Sequence, residues 1–196
     1  MSILDRRVGS GATQASPNQL AVGEEIYSRD LVTSSAVAVT SGVLRLSFFT
    51  ALKTEITAQV KMLSGSTPAG ATPSLIRVGL YLVQDNGNGV LVASTLNNPT
   101  NNATLFTVVN MPYIQPWSTP YLKLAGQRYA EGPLFVTTAA PPTLAGYTLA
   151  LAMETEAAAD PRLTGRLSGQ TDLPASFTAG SLTPTNVRYY ASLLPL

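Results

Sequence analysis

Glu154 and Glu156 stand two residues apart, directly after the apolar run Leu149-Ala150-Leu151-Ala152-Met153. In an extended strand that spacing turns both carboxylates to one face, as the acid and its partner in a glycoside hydrolase require. It is equally the spacing of a solvated strand end, where acidic residues ordinarily sit, and that reading is preferred. A carboxylate-based hydrolase is the one enzymatic form left open, because the chain has no histidine and no cysteine in 196 residues. Without imidazole or thiolate there is no Ser-His or Cys-His nucleophile pair, and the commonest zinc and iron sites lose their ligands. The expectation is a non-enzymatic protein without cofactor or metal.

Four other patterns invite chemistry. Asp85-Asn86-Gly87-Asn88-Gly89 is oxygen-rich like a calcium loop but lacks its register and its distal bidentate glutamate, so a turn is favoured. Gly9-Ser10-Gly11 lacks the third glycine of a nucleotide fingerprint, and Asn102-Ala103-Thr104 matters as a glycosylation acceptor only in a secretory pathway. Tyr113, Trp117 and Tyr121 punctuate a Pro-rich segment, where rings either stack on a sugar or fill a core or subunit interface; burial is the commoner use. These three aromatics, with Asn86 and Asn88, are retained as candidate ligand or subunit contacts.

Charged residues make up 12% of the chain, about half the roughly 25% usual in globular domains. Net charge is +1 and no basic cluster exceeds Arg6-Arg7, which argues against nucleic acid as a partner. No apolar run approaches the ~20 residues of a membrane span, and Met1-Ser2-Ile3-Leu4-Asp5 lacks the basic-then-apolar layout of a secretory signal. The expectation is no membrane insertion and synthesis in a cytoplasm.

Residues 8–18 are mainly Gly, Ser and other small residues, so residues 1–40 are read as an extended N-terminal arm with docking residues Leu4, Arg6 and Arg7. Within it, Glu24-Glu25-Ile26-Tyr27 and Leu31-Val32-Thr33 are candidates to pair with a sheet edge. From residue 41 to 196 a period-2 pattern predicts strands. Leu44, Leu46 and Phe48 share a face; Ile56, Ala58, Val60 and Met62 alternate with Glu55, Thr57, Gln59 and Lys61. Leu75–Val83 and Val90–Ala93 flank two Asn-Gly dipeptides and predict a hairpin. Further strands are expected at Leu105–Val109, Tyr121–Leu124, Pro133–Thr137, Tyr147–Met153 and Val187–Leu194, and no stretch carries sustained helical spacing. The predicted fold is all-β, an antiparallel two-sheet sandwich of jelly-roll type.

The phrases Leu44-Arg45-Leu46-Ser47-Phe48-Phe49-Thr50-Ala51, Thr57-Ala58-Gln59-Val60-Lys61-Met62-Leu63-Ser64-Gly65, Arg77-Val78-Gly79-Leu80-Tyr81 and Leu91-Val92-Ala93-Ser94 resemble those of virion proteins of tailed phages infecting actinobacteria, often labelled minor tail proteins. So do Leu124-Ala125-Gly126-Gln127-Arg128-Tyr129-Ala130 and Gly169-Gln170-Thr171-Asp172-Leu173-Pro174-Ala175; the resemblance covers roughly residues 42 to 194. It implies a β-sandwich and a virion setting and carries over no active site. The expected partners are other virion proteins of the tail or the major capsid shell, a host-surface glycan, and further copies of the chain, as a trimer. A capsid head-decoration protein and a carbohydrate-binding sandwich module are the alternative readings.

Overall fold

The computed structural model describes residues 23–98, 108–149, 158 and 160–196. Leu4, Arg6, Arg7, Glu154 and Glu156 lie outside the described residues, as do 105–107 and 150–153 of two expected strands. The fold is all-β and every pairing between strands is antiparallel.

One layer is a six-stranded sheet. It contains β3 (Leu44–Thr50), β5 (Leu75–Val83), β6 (Gly89–Ser94), β8 (Arg128–Val136), β10 (Thr164–Leu167) and β11 (Ser176–Phe177), in the order β10-β3-β8-β5-β6-β11. The facing layer joins two smaller sheets. β1 (Glu24–Glu25), β13 (Ala191–Pro195), β4 (Glu55–Leu63) and β7 (Pro112–Lys123) form one, in that order. β12 (Val187–Tyr189), β9 (Thr143–Thr148) and β2 (Thr33–Ala38) form the other. Tyr190 alone separates β12 from β13, and a bridge links Ser64 to Leu144, so the expected single sheet on this side is divided but continuous in space.

Apolar alternation explains the packing. Val60, Met62, Ala191 and Leu193 meet Ile76, Val78, Leu80, Tyr129 and Phe135 between the layers. The opposite face of the six-stranded sheet carries Leu44, Leu46, Phe48, Tyr81, Ala130 and Leu134, and Leu173, Phe177 and Leu182 cover it. The sheet is therefore buried on both faces, and β8 is buried at seven consecutive positions. Each such large side chain contributes ~1.5–3 kcal/mol by leaving water.

Two expectations are corrected. A bulge between Thr57 and Gln59 shifts the parity of β4, so that Thr57 points inward and Ile56 lies 45% exposed. The arm boundary also moves. Glu24, Glu25, Ile26 and Tyr27 are buried, β1 pairs with β13, and β2 pairs with β9. The folded body thus includes residues from Gly23 onward instead of beginning at 41, because Ile26, Tyr27 and Val39 supply core that the later strands leave unfilled.

Candidate functional site

The aromatic segment turns inward. β7 pairs with β4 in two stretches, Pro112–Pro116 against Leu63–Gln59 and Tyr121–Lys123 against Thr57–Glu55, with Trp117 to Pro120 bulged between them. At that bulge Trp117 is 4% exposed, bridges Thr95, and donates its indole N–H to Thr57 Oγ1 at 3.0 Å. Tyr121 meets Tyr129 edge-to-face, and burial, aided by the Tyr129 hydroxyl, pushes its own hydroxyl up to about 12. The Tyr113 hydroxyl accepts the Val108 N–H at 3.2 Å. Trp117 is thus core and offers no platform for a ligand or a subunit.

The hairpin prediction leads to a cavity instead. The β5–β6 turn closes through Gln84 N–H to Asn88 O and Gly87 N–H to Gln84 O, both 2.8 Å, with Gly87 at φ 79°. Asn86 Oδ1 accepts the Asn88 N–H and Asn88 Oδ1 accepts the Ala179 N–H, each at 3.0 Å, so Asn88 docks the turn while Asn86 stays exposed. Beside this turn lies a half-enclosed cavity of about 260 Å³, floored by Phe48 and Val83 and walled by Asp85, Asn86, Arg128, Asp160 and Arg162. It continues into a shallower shelf of about 610 Å³ along Gln84 and the β7–β8 turn at Ala125–Gln127. Arg128 lies 5.7 Å from the Phe48 ring centre, donates to Arg162 O at 2.5 Å, and sits 3.5 Å from Asp160 Oδ1.

A second group of polar side chains anchors the N-terminal strand. Lys123, fully buried, donates to Glu24 Oε2 at 2.5 Å and Lys53 O at 3.0 Å, and forms an ion pair with Glu55 Oε1 at 2.9 Å. Glu24 Oε1 accepts the Leu52 N–H at 2.7 Å. Glu25 is held by Arg29 and by the Tyr190 hydroxyl at 2.9 Å. β1 is only two residues long, but its two carboxylates tie it to Lys123 of β7, to Leu52 after β3 and to Tyr190 between β12 and β13.

The outer face of the β4–β7 pair is apolar. Ile56 stands directly opposite Leu122, and Ile114 and Leu124 extend the patch along β7, each of the four being 45–52% exposed. β7 is also the outermost strand of its sheet. Pro112 and Pro116 pair with Leu63 and Gln59 without an N–H to give, so at those positions the donor direction faces away from β4. The two prolines therefore blunt the open edge against another strand while the face beside it stays bare.

Sequence reasoning named Asn86 of the cavity wall but missed Asp85, Arg128, Asp160 and Arg162. The one hint was Gly126, whose φ of 79° makes the turn before Arg128, the first residue of β8. Among the described residues no group of three or more metal-ligating side chains comes together. Compared with models of known protein families and with curated proteins, the chain matches none.

Proposed function

We propose that the protein is a non-enzymatic structural subunit of a tailed-phage virion, a minor tail protein assembled in the host cytoplasm and displayed on the particle. The observation that carries this reading is the bare apolar face of β4 and β7 beside an edge blunted by Pro112 and Pro116. Such a surface suits association face to face with other subunits and resists open-ended strand addition. The weakly charged chain offers little repulsion to neighbours, and the anchored β1 gives residues 1–22 a fixed point of departure toward a docking partner. The sequence resemblance over residues 42 to 194 supplies the particle.

Immunogold labelling of purified particles with an antibody to the sandwich tests the location. Label on the tail supports the minor tail reading, label over the head replaces it with decoration of the capsid shell, and unlabelled particles sink the virion reading. Self-association as a trimer through the β4–β7 face is tested by light scattering. Leu122→Glu is expected to release monomers, and a wild-type chain that is already monomeric at micromolar concentration overturns the assembly role of that face.

A further inference from the structure

We propose that the trough between the Gln84–Asn88 turn, the Ala125–Arg128 turn and the Asp160–Arg162 segment binds a neutral saccharide, one pyranose unit in the inner cavity and the next on the shelf. Size permits it. The cavity of about 260 Å³ and the adjoining shelf of about 610 Å³ together reach the few hundred to a thousand Å³ typical of small-ligand sites.

Charge selects the ligand class. Arg128, Arg162, Asp85 and Asp160 line the trough together, so a phosphate or carboxylate would meet two carboxylates and a metal cation two guanidinium groups. A hydroxyl-rich neutral molecule suits both signs at once, since carboxylates accept from its hydroxyls and guanidinium N–H groups donate to them. The groups have capacity left for that work. Asp160 is 95% exposed and its ion pair among the described residues, to Arg128, is long at 3.5 Å, while Asp85 is exposed at the turn. Phe48, Val83, Ala158 and Ala179 line the same cavity with carbon, which fits the C–H face of a pyranose.

Two sides of the trough are pre-formed. They hang on the ends of β3, β5 and β8, the turn at 84–88 is closed by its own hydrogen bonds, and Asn88 pins it to Ala179. Binding therefore requires little ordering of the protein. The proposal is independent of the virion reading and of where on a particle the subunit sits.

The test is a titration of the full-length ¹⁵N-labelled protein with glucose, galactose, N-acetylglucosamine, rhamnose and cellobiose, with glucose 6-phosphate and glucuronate as charged comparators. At least one neutral sugar is expected to move the amide signals of residues 85–87 and 126–128 saturably, with a Kd on the order of 1 mM for a single unit. Asp85→Asn with Asp160→Asn, both at exposed positions, is expected to weaken that binding about tenfold while the rest of the spectrum stays in place. Undisturbed amides with every neutral sugar overturn the proposal. So do charged comparators that bind as tightly as the neutral sugars, and binding that the double variant leaves intact.

Discussion

Replacing Glu131 by glutamine is expected to remove most of the pH dependence of stability near neutrality. Glu131 lies in the middle of β8, opposite Ser47 and Leu80 on its two neighbouring strands, and is fully buried. Neither carboxyl oxygen has a hydrogen-bond partner. Burial outweighs the attraction of Arg188 and pushes the carboxyl up from 4.5 to about 8. The Arg188 guanidinium is committed elsewhere, to Phe48 O at 2.8 Å, the Tyr147 hydroxyl at 3.2 Å and the face of Tyr27. Between pH 4.5 and about 8 the folded chain therefore keeps a proton that the unfolded chain has lost. The group's contribution is complete below pH 4.5 and is lost as pH rises toward about 8. At about 1.4 kcal/mol per pH unit the loss amounts to roughly 3 kcal/mol by pH 7 and roughly 5 across the window. Glutamine preserves the shape and cannot ionise, so urea unfolding from about pH 5 to 8 should show a falling midpoint in the wild type and a nearly level one in the variant. Parallel curves would refute the reasoning, because they would mean that Glu131 is already ionised in the fold and that Arg188, not burial, decides its state.

Three further substitutions probe the positioning of the other elements. Lys123→Met strips the ion partner from buried Glu24 and is expected to cost about 3–5 kcal/mol in urea unfolding; limited trypsin digestion should then cut faster at Arg29, behind the loosened β1, and a loss under 1 kcal/mol would show the ion pair to be dispensable. Trp117→Ala should cost about 3–5 kcal/mol in thermal or urea unfolding, whereas a surface platform residue would cost almost nothing. Gly132→Ala would place a Cβ 2.2 Å from Arg45 O, so it should separate β3 from β8 and lower stability by at least about 2 kcal/mol, read as a drop in Tm.

Where one periodicity governs a segment, the sequence spoke clearly. Leu75–Val83 is predicted and found with the same bounds, because apolar side chains are required on both faces of a central strand and dominate this run on either side of Gly79. β4 was readable only to its bulge, since one inserted residue reverses inside and outside for Ile56 without any change in composition. Glu24 was readable as part of a segment pairing with a sheet edge, but nothing local marks it as the partner of a lysine 99 positions later in the chain. The trough was invisible for the same reason. Asp85, Arg128 and Asp160 are unremarkable at their own positions, and only the pairing of β8 with β3 and β5 brings their segments together.

The low charge content takes on a different meaning once the charges are located. Glu24, Glu25, Lys123, Glu131 and Arg188 are spent inside the fold, each under 9% exposed, and Asp85, Arg128, Asp160 and Arg162 gather at one trough. Little charge is left for the outer face of β4 and β7, where Lys61 sits beside Ile114 as its cross-strand neighbour. A surface is kept soluble by dispersed charge, so an apolar patch with little charge beside it is prone to stick. The prolines of β7 then limit how it sticks, permitting contact through the face while withholding backbone donors from the edge. Leu124 ends that face and Ala125 begins the shelf of the trough. A ligand in the trough would accordingly lie at the margin of an assembly contact and not beneath it, which is the arrangement a displayed subunit needs if association and recognition are to coexist.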